Sequence, residues 1–219
     1  MADKPQIGGR RVAQHRLPSP AAITGSPPLW LPQLAGAAIG ASRVVWIPAA
    51  QNPLRTEQTA PPEDRVAMLQ ALLAGSDGAE IDQRELQRGG PSYFVDTLRS
   101  FRDQDASTPL RFLIGADQAL QFRRWHDWEQ ILDLAHPVIA PRPPHDRLAL
   151  ELVLEQLDEG QSRPGWWRES ILDLPLDDVS ATKLREALAE SDQAALRAGI
   201  PESVLSVIRA RGLYGRSDA

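Results

Sequence analysis

The sequence predicts an α/β fold: a mostly parallel sheet with helices on both faces, followed by a helical C-terminus. Three observations carry the prediction. Short apolar runs stop at Gly or Pro: Val44-Val45-Trp46-Ile47 before Pro48, Phe112-Leu113-Ile114 before Gly115, and Pro137 to Ala140 before Pro141. Runs of that length and boundary suit strands buried on both faces. Helical patterns alternate with them, which requires right-handed crossovers between parallel strands. After Ile171-Leu172-Asp173-Leu174, the last strand candidate, only helical patterns follow.

In chain order, residues 1 to 29 carry no sustained period. Gly8-Gly9-Arg10-Arg11, Pro18-Ser19-Pro20 and Gly25-Ser26-Pro27-Pro28 read as irregular or disordered chain, ahead of an α/β domain over residues 30 to 214 and a tail over 215 to 219. Leu31, Leu34, Ala35, Ala38 and Ile39 share a helical face that Gly40 can cap, and the Val44 strand follows. A loop containing Arg55 leads to Pro61-Pro62, which open a helix facing inward through Val66, Met68, Leu69, Leu72 and Leu73. Ala79 to Asp82 is a weak strand, and Ser92 is a candidate N-cap for a helix over Tyr93 to Arg102. Beyond Gly115 come a short helix, a helix over Trp125 to Leu134, and a helix over Arg147 to Leu157 expected to bury Leu148, Leu150, Leu152, Val153 and Leu157. Ser180, Ser191 or Asp192, and Pro201 each begin a C-terminal helix.

Bulk properties narrow the function. A chain of 219 residues forms one sizeable core. The net charge of -5, with Arg interleaved among Asp and Glu, speaks against a nucleic-acid surface. There is no cysteine for a disulfide or a thiolate, and His15, His126, His136 and His145 are not at metal-ligand spacing, so no metal site is expected. Neither a membrane-spanning run nor a signal-peptide pattern is visible, and a cytoplasmic, membrane-free protein is expected.

Two places carry chemistry. Gly115-Ala116-Asp117 closes the central strand, where ligands of open α/β sheets bind; Gly lets a ligand approach the backbone, and Asp117 either accepts hydrogen bonds from a ribose or caps the next helix. Val179-Ser180-Ala181-Thr182-Lys183-Leu184-Arg185 offers free N–H groups, two hydroxyls and, one turn on, a guanidinium. That is either a phosphate cradle or an ordinary Ser N-cap beside a solvated Arg.

In order, Trp46-Ile47-Pro48-Ala49-Ala50-Gln51-Asn52-Pro53, Gly90-Pro91-Ser92-Tyr93-Phe94-Val95-Asp96-Thr97-Leu98, Phe112 to Asp117, Trp125, Arg142-Pro143, Val179 to Arg185 and Leu213-Tyr214 resemble the bacterial nicotinate mononucleotide adenylyltransferases. The similarity runs from about Leu31 to Tyr214. It implies a Rossmann-like nucleotidyltransferase that joins ATP, with magnesium, to nicotinate mononucleotide, releasing pyrophosphate and making the dinucleotide precursor of NAD. By resemblance, Ser180, Thr182 and Arg185 hold the ATP phosphates, and Gly115 and Asp117 meet the adenosine or its ribose. Ser92, Tyr93, Phe94, Trp125 and Arg142 belong to the pyridine-nucleotide side, Trp125 by stacking on the ring.

The family opens with a strand and then Gly-Gly-x-Phe-Asp-Pro-x-His-x-Gly-His. Here Gly8, Gly9 and His15 fall in register with its first half, which makes His15 the catalytic candidate, but the Phe-Asp-Pro and the second His are absent and Pro18 stands in the latter's place. Ala181 replaces a Ser, Phe94 a Thr and Arg55 a Lys. Three readings follow: an active enzyme, a catalytically impaired relative that binds nucleotide or a partner, or an enzyme whose residues 8 to 28 are an out-of-frame stretch rich in Arg, Pro, Ala and Gly.

Overall fold

The computed structural model describes residues 16–20, 31–51, 53, 60–160, 162–173, 181–190, 192, 196 and 199–214. Strand β1 (Arg16–Pro20) is followed by α1 (Leu31–Ala38), β2 (Arg43–Ile47), α2 (Pro62–Leu73), β3 (Ala79–Ile81), α3 (Arg84–Arg88) and α4 (Phe94–Gln104). Then come β4 (Arg111–Gly115), α5 (Ala116–Leu120), a single 3-10 turn at Phe122–Arg124, α6 (Trp128–Leu134), β5 (His136–Ala140) and α7 (Arg147–Asp158). Helices α8 (Ala181–Glu190) and α9 (Glu202–Ala210) complete the helical C-terminus.

All strand pairs are parallel: β1 with β2, β2 with β3, and β4 with β5. β1 also packs alongside β4, which gives the spatial order β3-β2-β1-β4-β5. The chain builds outward from β1 to β3, crosses back, and builds outward again from β4. Ligands of such sheets bind where the order reverses, beyond the carboxyl ends of β1 and β4.

The strand at Arg16–Pro20 corrects the expectation of an irregular segment over those five residues. Pro18 and Pro20 have no N–H and lie on the same edge of the strand, while Leu17 and Ser19 face the other edge and keep theirs. A ladder to β2 on one side and packing against β4 on the other is the arrangement this sequence allows.

Side chains on the two faces of the sheet separate as strand geometry requires. Val45, Ile47, Phe112, Ile114 and Ile139 enter one core with Phe94, Leu98, Phe122 and Ile131, while Val44, Trp46, Leu113 and Val138 enter the other with Ala35 and Leu69. A third cluster packs Met68 of α2 against Ala187, Val204, Leu205 and Ile208, which docks the C-terminal helices.

Several local expectations are corrected. In α7 the buried residues are Leu150, Leu154 and Asp158, while Leu148, Leu152 and Leu157 are exposed. The leucines form two stripes of equal spacing, so periodicity alone does not choose between them. The burial of Asp158 does, because its Oδ2 accepts from the Trp167 indole N–H and the Gly165 N–H, each at 2.7 Å. The helix expected from Trp125 begins instead at Trp128, after Asp127 in the left-handed region at φ 51. The strand expected at 171 is reduced to a single bridge between Ile139 and Ile171. The C-terminal helix expected after a Ser180 cap is present, at Ala181–Glu190, and Ser180 itself is outside the described residues.

Candidate active site

Strand β4 ends at Gly115, and α5 begins immediately after it. An ideal Cβ on Gly115 would meet nothing within 4 Å among the described residues, so they leave open the space beyond this strand end. Asp117 does not cap the helix, since Gly115 holds the N-cap position and Asp117 lies inside the first turn. Its carboxylate stands 3.5 Å from a guanidinium nitrogen of Arg142, which follows β5, with 56% of the Asp117 side chain and 23% of the Arg142 side chain exposed. An ion pair this long and this wet contributes at most about 1 kcal/mol, so both groups are cheaply redirected to a ligand.

An aromatic wall rises beside this end of the sheet. Trp125 meets Phe94 edge-on, with ring centroids 5.6 Å apart at 84°, and lies 5.3 Å from Phe122. Phe94 in turn meets Phe112 of β4 at 5.3 Å. Phe94 is buried in the core, so it supports Trp125 from beneath and does not itself present a face. The Trp125 indole N–H is buried without a partner among the described residues, an open polar position in an otherwise apolar wall. Tyr93, more exposed, packs against the ring of His126 at 4.5 Å and forms a rim with it.

Ser92 has a different part from the N-cap expected of it. Its hydroxyl oxygen accepts from the Ala50 N–H at 2.9 Å and the Gln51 N–H at 3.4 Å, while its own N–H donates to the Gln51 carbonyl. Tyr93 occupies the N-cap position of α4 and makes no side-chain cap. Ser92 therefore fastens the loop after β2 to the start of α4. Behind it lies Glu85, only 3% exposed, which accepts a hydrogen bond from the Thr97 hydroxyl at 2.5 Å. Burial pushes the Glu85 carboxyl above its ordinary pKa, and the nearby Thr97 and Ser92 hydroxyls, with Arg88, act against the rise.

Arg65 of α2 ties the same loop from the other side. It is 7% exposed, and its guanidinium donates to the Ala49 carbonyl at 2.7 Å and to the Ala60 carbonyl at 3.0 Å, bracketing the chain between them. Burial lowers its pKa, while Tyr214 and Glu63 act in the opposite direction. The structural parts of Glu85 and Arg65 were not foreseen, because a charged residue on an amphipathic helix carries no local mark of burial.

Of the residues expected from the sequence, the structure thus brings Gly115, Asp117 and Arg142 together at one strand end, and Tyr93, Phe94 and Trp125 together on the adjoining wall. The Thr182 and Arg185 positions fall in the first two turns of α8, but their side chains, like Ser180, Arg55 and His15, lie outside the described residues. Arg16, next to His15, opens β1 at the end opposite the strand's carboxyl terminus.

The cytidylyltransferase-like family profile matches residues 35–187, which places this parallel sheet in that class of nucleotidyltransferases. The nicotinate-nucleotide adenylyltransferase of Salmonella typhimurium is 33% identical over 186 residues, 80% of this chain and 86% of its own length. The probable nicotinate-nucleotide adenylyltransferase of Marinobacter nauticus is 36% identical over 189 residues, 81% of this chain and 85% of its own. The chain belongs to the nicotinate-nucleotide adenylyltransferase family. Among solved structures, Plasmodium falciparum nicotinic acid mononucleotide adenylyltransferase complexed with NaAD shares the fold with a TM-score of 0.69 at 11% identity, over 92% of this chain and 97% of that one. The same enzyme complexed with APC gives 0.65 at 13% identity, with the same coverage.

Proposed function

We propose that this protein transfers the adenylyl group of ATP to nicotinate mononucleotide. The phosphate oxygen of the mononucleotide attacks the α-phosphorus, the bond from that phosphorus to the bridging oxygen breaks, and pyrophosphate leaves with deamido-NAD as the other product. The observation that carries the reading is the strand end at Gly115, open and flanked by Asp117, Arg142 and the Trp125 wall, in a chain whose relatives bear that activity in their names.

In this reading the adenosine lies over Gly115 with Asp117 toward its ribose, and the triphosphate meets the start of α8, where Ser180, Thr182 and Arg185 add two hydroxyls and a charge to the helix dipole. Trp125 stacks on the pyridine, Tyr93 and His126 form its rim, and Arg142 exchanges Asp117 for a phosphate. Nucleotidyl transfer asks the protein mainly for alignment and for charge on the leaving group. Magnesium enters with ATP as part of that substrate. No helix among the described residues is long and apolar enough to cross a membrane, in keeping with work in the cytoplasm on soluble nucleotides.

Incubation with ATP, magnesium and nicotinate mononucleotide should yield equal amounts of dinucleotide and pyrophosphate. Arg185→Ala should weaken ATP binding by about 1.5 to 3 kcal/mol, the scale of a lost charge-assisted hydrogen bond. Unchanged ATP affinity in a calorimetric titration of that variant removes the phosphate role.

A further inference from the structure

We infer that Asp158 is a positioning residue for the pyridine side of this site, acting through Arg123 to fix the turn that carries Trp125; the inference rests on the function proposed above. Asp158 ends α7 on the inward stripe of Leu150 and Leu154 and is 5% exposed. Packing alone would continue that stripe with an apolar side chain, because a buried carboxylate is costly unless its lone pairs are filled. Here they are filled from two separate segments. Oδ2 accepts from the Gly165 N–H and the Trp167 indole N–H, both beyond α7, and Oδ1 accepts from the Arg123 guanidinium at 2.5 Å, in the 3-10 turn that precedes Trp125.

The two oxygens have different parts. Oδ2 seats the carboxylate against the segment after α7, and Oδ1 holds the turn. Arg123 lies in the middle of that turn with its Cζ 4.6 Å from the centroid of the Trp128 ring, the first residue of α6, so it grips the turn and the start of α6 together. Trp125 stands between them. Its N–H donates to the Phe122 carbonyl at 3.0 Å, and its ring lies on Phe122 with 5.3 Å between centroids. Phe122 is backed by Trp166 at 4.8 Å, the residue after Gly165. The backbone turn of Trp125 and the ring beneath it thus both lead back to one buried carboxylate. An amide at position 158 separates the two parts. Its one carbonyl oxygen satisfies the Gly165 and Trp167 N–H groups, which turns its NH2 toward Arg123, a donor facing a donor. Asp158→Asn therefore breaks the link to the turn and keeps the link to the segment after α7.

The test uses the full chain with two ligands titrated separately, nicotinate mononucleotide and ATP. Stacking of a base on an aromatic side chain is worth about five- to 150-fold in affinity, and a displaced ring forfeits part of that. Asp158→Asn should therefore weaken the mononucleotide about five- to thirtyfold and leave ATP within about twofold. Arg123→Met, which keeps a stem on Trp128 and removes the cation, should do the same. The double variant should be no more than about twofold worse than the more damaging single, because both substitutions break one path. Trp167→Phe removes an Oδ2 donor and leaves Arg123 bonded to Oδ1, so it should lower thermal stability yet hold mononucleotide affinity within about twofold. Equal loss of both ligands, additive losses, unchanged mononucleotide affinity in Asp158→Asn, or a loss in Trp167→Phe as large as in Asp158→Asn overturns the inference. The Trp125 amide supplies an independent readout by hydrogen exchange: protected in the native chain and in Trp167→Phe, released in Asp158→Asn and in Arg123→Met. Protection kept in both of the latter refutes the path through Arg123. Should Asp158→Asn not fold, Arg123→Met carries both the affinity and the exchange tests. A native chain that binds neither ligand overturns the proposed function, and the exchange result then decides the Asp158 path alone.

Discussion

Gly115→Ala separates what the fold needs at the end of β4 from what a ligand needs. Gly115 sits at φ -79 and ψ 166, extended backbone that any residue adopts, so its glycine is not required by backbone conformation. A methyl group there meets no atom within 4 Å among the described residues, so it neither clashes with nor packs against them. The folded state is therefore indifferent, and the unfolded state loses freedom, which stabilises the variant by about 0.4 to 1 kcal/mol, or about 1 to 4 °C for a chain of this size. If the adenosine lies against this backbone, the same methyl group occupies ligand space. Displacing a packed ligand by a methylene or two costs about 1 to 3 kcal/mol, or about five- to 150-fold in affinity. Thermal denaturation and calorimetric titration of Gly115→Ala, with Gly115→Val as the larger step, should show stability held or raised while ATP affinity falls in the order Gly, Ala, Val. Unchanged ATP affinity in both folded variants would refute the placement of the crevice at this strand end.

Three other outcomes are expected. His15→Ala should change turnover by less than about twofold: Arg16 opens β1, and its five residues at about 3.3 Å each carry the chain to the crevice end; a hundredfold fall, the scale of a lost transition-state stabiliser, would show that the N-terminal segment reaches the α-phosphorus. Ile114→Asp should abolish cooperative unfolding, since Ile114 is 2% exposed in a central strand among apolar side chains; a folded variant by calorimetry would mean the core is misplaced. His136, at the start of β5, has its pKa lowered by burial and by Arg111 and Arg102, so the unfolded chain takes the proton first. Its contribution to stability is complete above the ordinary histidine value of about 6.5 and is lost as pH falls through that value toward the lower folded one. Melting temperatures of His136→Gln should accordingly fall less than those of the native chain between about pH 7.5 and 5.5; parallel curves would exclude the effect.

The parts of the fold that were legible in the sequence are those whose local chemistry and tertiary fate agree. Val44 to Ile47 and Phe112 to Ile114 are apolar, β-prone and stopped by Pro or Gly, and they became β2 and β4. The site residues near them were legible for the same reason, because a strand end in an open α/β sheet is also a ligand position. Arg16–Pro20 shows the opposite case. Two prolines in five residues forbid a two-sided ladder, and nothing local identifies a strand; only its place between β2 and β4 makes it one. Leu148 and Leu152 show a third case, in which the period is correct but two stripes share it and a buried carboxylate elsewhere decides.

The strand at Arg16–Pro20 also changes where the missing histidine motif should be sought. In a sheet of this order the connection from β1 to α1 leaves the carboxyl end of β1 at the switch point, and here that connection is residues 21 to 30, Ala-Ala-Ile-Thr-Gly-Ser-Pro-Pro-Leu-Trp. Gly8, Gly9 and His15 all precede the strand, so their match in register to the family's opening motif places them before the element that the motif should follow. The connection itself holds no histidine, no arginine and no lysine. In the function proposed above, we assign cationic stabilisation of the α-phosphorus to another part of the chain, and the start of α8, the helix that carries position 185, is the candidate that its dipole favours.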